Sequence, residues 1–287
     1  MIVLLGGHGD IGSVLATQLR NAGHTVVAPT SKQLDLTDPV ATAAFFRSLT
    51  GEYDLMFFAF KDRASGETQQ QNEANRWLVN NVLKFARPSS MLFASSISVY
   101  GEHPLLPISE KSPLIGEGLY ARAKQEAETR IVAESAGKYP SLIIRLPGVF
   151  GGRGKRGQSF DKILRGGLET GVIELRGNGN VLRDWISATE VADFASLFIR
   201  EARSGLVNLV RGASLKIDDY VACALEVLPN VQHLPAKIGE SSQSSDFVFD
   251  TKALQYLYPE WKFPDRRRDI YSLAFELKQL HEYTDMP

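Results

Sequence analysis

The stretch LLGGHGDIGSVL, residues 4–15, decides how the first half of the chain folds. It joins an apolar run to a helix-forming segment, and it places Gly6, Gly9 and Gly12 three residues apart. Glycines at such a turn let the backbone bend sharply and approach a ligand, while the helix that follows offers free N–H groups and a positive dipole end. The stretch therefore predicts a strand, a turn and a helix that bind the pyrophosphate of a dinucleotide.

Beyond this turn, short apolar runs alternate with helical patterns. The runs HTVVA, DLMFFAF, SMLFASS and SLIIRL are predicted strands, and DPVATAAFFRSL is a predicted helix with Asp38 as N-cap and Pro39 at its first position. An alternating β-α order calls for an α/β fold, a doubly wound parallel sheet with helices on both faces. After Gly148 the chain is richer in glycine and base, and further helices are expected at about 158–168, 216–227 and 266–282.

The composition excludes several classes of partner. The 287 residues include 32 basic and 33 acidic side chains, a net charge of −1, so no global field favours nucleic acid or an anionic membrane. The single cysteine, Cys223, is expected to be a buried thiol and not a nucleophile, and no metal site is expected. Because the N-terminal apolar run is too short for a signal peptide or a membrane span, we expect a cytoplasmic protein.

The end of the second predicted strand bears on the choice of dinucleotide. NAD enzymes usually carry an acidic residue there, which holds the ribose hydroxyls. This chain has Thr30, Ser31 and Lys32, two hydroxyls and an ammonium that suit a 2′-phosphate, so NADP(H) is preferred and NAD(H) remains possible. Alternatively the three residues form a plain turn. Asp35 either accepts a hydrogen bond from the adenine amino group or caps the next helix.

Two further segments carry candidate chemistry. GLYARAKQEAE, residues 118–128, is a predicted helix that places Tyr120 and Lys124 four residues apart on one face. By itself this spacing also fits a half-buried tyrosine stacked on a lysine stem. The predicted strand SMLFASS leads into hydroxyls at Ser96 and Ser98, and ligands collect at the carboxyl ends of parallel strands.

Together these motifs resemble the extended short-chain dehydrogenase/reductase family, in its nucleotide-sugar branch of epimerases, dehydratases and 4-ketoreductases. The resemblance covers residues 1 to about 210. Its motifs, in order, are the glycine turn, SSISVYG (95–101), the Tyr120–Lys124 pair, RLPGVFG (145–151) and GNGNVLRDWISATEVADF (177–194).

The resemblance implies roles for individual residues. Tyr120 would be the catalytic acid/base, and Lys124 would favour its phenolate and hold the nicotinamide ribose, since an ordinary tyrosine pKa is near 10. Ser96 would bind the substrate oxygen, with Ser98 as the alternative. Arg183 would contact the substrate pyrophosphate, unless it is a structural partner of the neighbouring aspartate.

The expected cofactor-binding residues come from the turn, the second and third strand ends and the Tyr–Lys helix. They are Gly6, Gly9, Asp10, Ile11, Gly12, Thr30, Ser31, Lys32, Asp35, Leu36, Ala59, Lys61, Tyr120 and Lys124. The chain departs from the family in two places. The segment FFAFKDRASG, at the end of the predicted strand DLMFFAF, is bulkier than the small residues that the family carries at this place. The segment LPGVFGG lacks the asparagine that the family often has after its sixth strand.

These implications define the expected architecture and activity. We expect an NADP-binding Rossmann domain (1–152 plus about 183–211) and a small substrate-binding lobe (about 153–182 plus 212–287). The leading hypothesis is an NADPH-dependent reductase of a nucleotide-linked 4-keto-deoxysugar, because NADPH is the usual reducing donor and the lobe is small. The alternatives are a nucleotide-sugar epimerase with tightly held NAD(P) and a non-catalytic NADP-binding sensor. Family members often dimerise, so a homodimer is possible.

Overall fold

The structure is a computed structural model that describes residues 1–61, 67–152, 159–176, 179–237 and 245–284. Its strands are β1 (Ile2–Leu5), β2 (Val26–Val27), β3 (Asp54–Phe57), β4 (Ser90–Ser96), β5 (Ser141–Leu146), β6 (Val149–Phe150), β7 (Val172–Arg176), β8 (Leu182–Arg183), β9 (Ile186–Ser187), β10 (Gly205–Asn208), β11 (Leu215–Lys216) and β12 (Gln232–Lys237). Its α-helices are α1 (Asp10–Asn21), α2 (Pro39–Ser48), α3 (Gln69–Phe85), α4 (Leu119–Ser135), α5 (Ser159–Thr170), α6 (Ala188–Arg200), α7 (Ile217–Leu225), α8 (Lys252–Leu257) and α9 (Arg266–Thr284).

A parallel sheet of six strands forms the centre of the molecule. Its spatial order is β10-β5-β4-β3-β1-β2, and every neighbouring pair is parallel. The order reverses beside β1, which creates the crevice where ligands bind in doubly wound sheets. The predicted α/β fold is confirmed. The second strand is shorter than the run HTVVA, because only Val26 and Val27 pair with β1.

Hydrophobic side chains alternate between the two faces of the sheet. Ile2 and Leu4 of β1 join a core that includes Leu15 of α1 and Val191 of α6. Val3 and Leu5 join a second core with residues of α2, α3 and α4. This two-sided burial explains why the sheet strands read as continuous apolar runs.

A third hydrophobic core lies among α5, β7, α7 and α9. It contains Phe160, Ile173, Val221 and Leu273, which come from the segments expected to form the small lobe. Leu254 of α8 instead packs into the first core, against the sheet. Helix α8, which falls within the range expected for the small lobe, thus packs with the sheet. The boundaries between the two domains remain a prediction.

Helix starts follow the expected side-chain chemistry. The Asp38 carboxylate accepts a 2.7 Å hydrogen bond from the Val40 N–H, with Pro39 at the first position of α2, as predicted. Ser187 begins α6 with a capping box completed by Glu190. Within the described ranges, none of the helices has both the length and the apolar character that a bilayer span requires.

Candidate active site

The glycine turn after β1 is closed so tightly that side chains do not fit in it. Gly6 has φ +87°, and a Cβ on it would lie 2.6 Å from the backbone N of Ala59. A Cβ on Gly12 would lie 2.1 Å from the carbonyl oxygen of Gly6. The Gly9 N–H donates to the same carbonyl at 3.0 Å. The three glycines therefore let the turn fold back onto the start of α1 and keep its outer side open to a ligand.

The N-terminus of α1 fits a diphosphate. Its N-cap is Gly9, which supplies no side-chain hydrogen bond, whereas Asp38 caps α2 with its carboxylate. Asp10 and Ile11 lie in the first turn of α1. The first-turn N–H groups, with the positive end of the helix dipole, match the chemistry of a dinucleotide pyrophosphate.

We expect Gly12→Ala to destabilise the protein and to weaken dinucleotide binding. The added methyl would overlap the Gly6 carbonyl, and neither backbone can move without opening the turn. Overpacking of this kind costs about 1–3 kcal/mol. Urea unfolding and dinucleotide titration measure the two effects. The control is Gly166→Ala in α5, where the added methyl meets open space. Unchanged cofactor affinity in Gly12→Ala would contradict this account of the turn.

The residues after β2 form a turn at the same edge of the sheet. The Gln33 side-chain oxygen accepts hydrogen bonds from the Thr30 N–H and the Thr30 hydroxyl, at 2.9 and 3.0 Å. Ser31 and Lys32 are exposed. The segment is a hydrogen-bonded turn, which is compatible with both interpretations, and its tip presents the Ser31 hydroxyl and the Lys32 ammonium to solvent.

Asp35 does not cap α2, since Asp38 does so. The Asp35 carboxylate accepts hydrogen bonds from the hydroxyl and the N–H of Thr37, which hold the pKa of Asp35 below its usual range. The buried Asn81 side chain donates to the Leu36 carbonyl at 2.9 Å and so ties this loop to α3. The Asp35 carboxylate stays ionised and lies in the exposed loop.

The chain after β3 passes directly beside the glycine turn. Ala59 faces Gly6, and Lys61 is held by two backbone hydrogen bonds to the buried Asn75 side chain, at 2.8 and 3.2 Å. The Asn75 side chain therefore ties the loop after β3 to α3. Residues 62–66, the rest of the segment FFAFKDRASG in which the chain differs from its family, lie outside the described residues.

Serine hydroxyls follow the carboxyl end of β4. Ser96 begins a short 3-10 helix (Ile97–Tyr100), and its hydroxyl oxygen accepts a hydrogen bond from the Ser98 N–H at 3.2 Å. The Ser98 hydroxyl is buried without a hydrogen-bond partner in the part of the chain that the structure describes. A buried polar atom of this kind is costly unless a ligand or water satisfies it. Ser98 is therefore at least as well placed as Ser96 to meet a substrate oxygen.

Tyr120 and Lys124 lie in the first two turns of α4, next to β4. The Lys124 side chain is 3% exposed, and its Nζ donates to the Ala94 carbonyl at 2.6 Å. Burial lowers the pKa of Lys124 to about 7, although the Glu128 carboxylate acts in the opposite direction. Tyr120 is half-buried, and the Lys124 ammonium lies 5.7 Å from its ring centroid. Lys124 is therefore a buried amine beside Tyr120 and not an exposed surface lysine.

A buried ion pair lies behind this helix. The Glu128 carboxylate binds the Arg145 guanidinium through both oxygens, with a shortest distance of 2.7 Å, and accepts a hydrogen bond from the Ser95 hydroxyl. Arg145 also donates to the Tyr100 hydroxyl, which donates to Asn208, each at 2.7 Å. The network joins α4, β4, β5 and β10 under the candidate site. This network was not among the features predicted from the sequence.

Arg183 lies in β8, beside a polar cavity. It donates to the Leu182 and Ser245 carbonyls, at 2.8 and 2.7 Å, and stacks on Phe247. Asp184 is buried and accepts from the Gly212 N–H, with Arg266 3.7 Å away. The described contacts of Arg183 and Asp184 thus lead to different partners, against the alternative that the two form a structural pair.

The cavity beside Arg183 has a volume of about 580 Å³. Its lining residues are His103, Pro104, Leu106, Asn180, Val181, Ser245 and Asp246. The His103 segment continues from the 3-10 helix that carries Ser98, so the cavity is linked along the chain to the end of β4.

The parallel sheet brings most of the predicted site residues to one edge. The glycine turn, the Thr30 turn and the Ala59 loop follow β1, β2 and β3, and Ser96 ends β4. Tyr120 and Lys124 approach this edge from α4. Cys223 lies apart in α7, half-buried, and burial raises the pKa of its thiol, so it is not an activated nucleophile. Among the described residues there is no cluster of His, Cys, Asp and Glu that would hold a metal.

Comparison with known proteins agrees with this geometry. A dTDP-4-dehydrorhamnose reductase of Mycobacterium tuberculosis is 28% identical over 229 residues, which are 74% of this chain and 69% of that protein. The GDP-mannoheptose C4 reductase MlghC from Campylobacter jejuni, solved with NADP bound, has a TM-score of 0.80 at 18% identity, covering 97% of this chain and 98% of that one. A Thermus thermophilus UDP-glucose 4-epimerase, solved with NAD, has a TM-score of 0.78 at 18% identity, covering 96% and 98%.

At these identities the two solved structures establish the fold alone. The family is established by a sequence profile of the NAD dependent epimerase/dehydratase family, which matches residues 2–210. That range contains the glycine turn, the β4 serines, the Tyr120–Lys124 pair and Arg183. The chain is therefore an oxidoreductase-type enzyme that belongs to the NAD-dependent epimerase/dehydratase family, within the extended short-chain dehydrogenases/reductases.

Proposed function

We propose that the protein is an NADPH-dependent reductase of a nucleotide-linked 4-keto-deoxysugar. The observation that carries the proposal is the arrangement of Tyr120 and the buried Lys124 beside the β4 serines, at the sheet edge that also carries the glycine turn. The similarity to dTDP-4-dehydrorhamnose reductase supports net reduction of such a sugar.

Each residue has a defined task in this proposal. The bound cofactor supplies the hydride to the carbonyl carbon. Ser96 and Ser98 hold the carbonyl oxygen, and Tyr120 gives it a proton. Lys124, when protonated, stabilises the phenolate that remains. The glycine turn and α1 hold the pyrophosphate of the cofactor and so fix the position of the cofactor along the carboxyl ends of the strands.

The preference for NADPH rests on the turn after β2. In our proposal Lys32 and the Ser31 hydroxyl receive the 2′-phosphate. Thr30, whose own hydroxyl donates to Gln33, places no carboxylate at this position that would repel the phosphate. Lys32 is exposed, which leaves its ammonium able to reach an anion.

We expect Lys32→Ala and Thr30→Asp to weaken NADPH binding more than NADH binding. Loss of a charge-assisted hydrogen bond costs about 1.5–3 kcal/mol, which is roughly a ten- to hundredfold change in the dissociation constant. Fluorescence titration with both dinucleotides measures the ratio, and the distant Lys252→Ala serves as the control for loss of a surface charge. An equal effect on both cofactors would refute the 2′-phosphate assignment.

The nucleotide end of the substrate is assigned to the cavity beside Arg183. The lining offers hydrogen-bonding groups from His103 and Asn180. Arg183 is not a lining residue itself, but its guanidinium donates to the carbonyl of Ser245, which is one. The Asp246 carboxylate, which accepts from the Leu182 N–H, is a lining group that would oppose a phosphate. Burial lowers the pKa of Arg183, while Asp246 counteracts that effect, so the cation sits in a partly desolvated place where a phosphate would be held strongly.

The second candidate is a nucleotide-sugar epimerase that keeps its cofactor. The whole-chain fold similarity to UDP-glucose 4-epimerase favours it. A third, a non-catalytic NADP sensor, is disfavoured because Ser96, Tyr120 and Lys124 are all present. A cytoplasmic location and a homodimer complete the proposal.

The test is NADPH consumption against a panel of nucleotide-linked 4-keto-6-deoxyhexoses, with product analysis on the same samples. Stoichiometric oxidation with one sugar supports the reductase. Inversion at C4 of the corresponding nucleotide-linked hexoses, tested in parallel, without net oxidation of NADPH would establish the epimerase. Tight NADPH binding with neither reaction would favour the sensor. Size-exclusion chromatography with light scattering tests the homodimer.

A further inference from the structure

Phe60 lies where the sequence departs from its family, and it contacts both members of the Tyr–Lys pair. The Lys124 Nζ lies 3.7 Å from the centroid of the Phe60 ring. The Phe60 and Tyr120 rings meet edge to face, with centroids 5.7 Å apart. Phe60 also packs edge to face on Phe93, whose ring lies 4.7 Å from the same ammonium. The Phe60 and Phe93 rings thus both lie against the Lys124 ammonium, which also donates to the Ala94 carbonyl.

We propose that Phe60 is a positioning residue for the Tyr120–Lys124 pair, because its ring closes over the Lys124 ammonium and fixes the orientation of the Tyr120 ring. An ammonium over an aromatic face gains about 0.5–2 kcal/mol, more when water is excluded. Edge-to-face contact likewise favours one orientation of Tyr120 over others. The inference deepens the proposed function and rests on it for the roles of Tyr120 and Lys124.

The surroundings of Lys124 explain why the ring matters. The charged or titratable groups near its ammonium are Tyr120 and Glu128 on α4, and Glu128 is itself neutralised by Arg145 from β5. The contacts from β4 and from the loop after β3 are apolar rings and the Ala94 carbonyl. Burial is consequently the main influence on the pKa of Lys124, and Phe60 supplies part of that burial from the loop after β3.

The test is an NMR titration of Lys124 in the free protein. Protein with 13C- and 15N-labelled lysine reports the protonation of Lys124, assigned with Lys124→Arg, without any substrate. Phe60→Ala removes the cation–π contact, which lowers the titration midpoint, and it admits water to the ammonium, which raises the midpoint. Because burial is the largest influence on the pKa of Lys124, we expect the net change to be a rise from its value near 7. Phe60→Leu, which keeps more apolar volume, is expected to shift it less, and Phe60→Tyr to retain the native midpoint.

Phe45→Ala is the matched control. Phe45 is a partly buried aromatic residue packed against the same hydrophobic core as Phe60, in edge-to-face contact with Phe46, whereas the rings that face Lys124 are those of Phe60, Phe93 and Tyr120. If its removal shifted the midpoint equally, or if Phe60→Ala and Phe60→Leu both left the midpoint unchanged, the inference would be overturned. The pH profile of kcat/KM for Phe60→Ala should move in the same direction as the midpoint.

Failure of the inference is distinguishable from failure of the proposed function. A raised midpoint in a protein that reduces none of the keto sugars supports the role of Phe60 and refutes the proposed reaction. An unchanged midpoint in an active reductase refutes the role of Phe60 alone.

Discussion

Tyr120→Phe is expected to lower kcat by about 10²–10⁴ while NADPH binding changes little. The substitution removes one hydroxyl, and with it the proton donor for the substrate oxygen, which is the usual contribution of a general acid. The ring stays, so the edge-to-face contact with Phe60 and the start of α4 are retained. Single-turnover NADPH oxidation measures the chemical step, and fluorescence titration measures the cofactor affinity.

The control for Tyr120→Phe is Tyr256→Phe. Tyr256 is 88% exposed in α8, so removal of its hydroxyl should leave both measurements unchanged. Turnover within a factor of about three of the native rate in Tyr120→Phe would refute the assignment of Tyr120, since it lies far below the effect expected of a general acid.

Glu128→Gln is expected to cost about 3–5 kcal/mol of unfolding free energy, the usual result of removing one partner from a buried ion pair. The change keeps the shape of the side chain and removes the charge that Arg145 needs, since Arg145 and Glu128 are 3% and 5% exposed at the side chain. Urea unfolding measures the loss. The double variant Glu128→Gln/Arg145→Met removes both charges, so it should be more stable than Glu128→Gln.

The control for Glu128→Gln is Glu134→Gln on the same helix. Glu134 pairs with Lys138 at 3.3 Å on the surface, where such pairs contribute only about 0.2–0.5 kcal/mol. A loss below about 1 kcal/mol in Glu128→Gln would contradict the view that the buried pair is coupled to the fold.

The parts of the site that depend on local sequence could be predicted from it. Gly6, Gly9 and Gly12 act within one turn, and their spacing determines the close approach to the chain after β3. The Asp38 cap and the capping box of α6 are equally local. The α/β fold followed from the order of apolar runs. The roles of Tyr120 and Lys124 came from the family resemblance, and their places beside β4 depended on the parallel sheet that the runs predicted.

The rest depends on contacts between distant segments. Arg145 meets Glu128 only because β5 lies beside β4 and α4 packs over both, although a charged residue inside the apolar run SLIIRL was a signal of a buried pair. Phe60 was recognised as bulky, but its contact with Lys124 requires the loop after β3 to cross α4. The two-residue strands β6, β8, β9 and β11 are too short to leave a periodic pattern.

The most direct test of net reduction is to follow the transferred hydrogen itself. The purified protein is incubated with NADPH that carries deuterium at both C4 positions of the nicotinamide and with a nucleotide-linked 4-keto-6-deoxyhexose, and the products are analysed by mass spectrometry. The account predicts one deuterium on the former carbonyl carbon of the sugar for each NADPH oxidised. Recovery of the keto sugar unreduced and unlabelled, together with inversion at C4 of a nucleotide-linked hexose tested in parallel while the dinucleotide pool stays unchanged, would contradict it and would identify an epimerase.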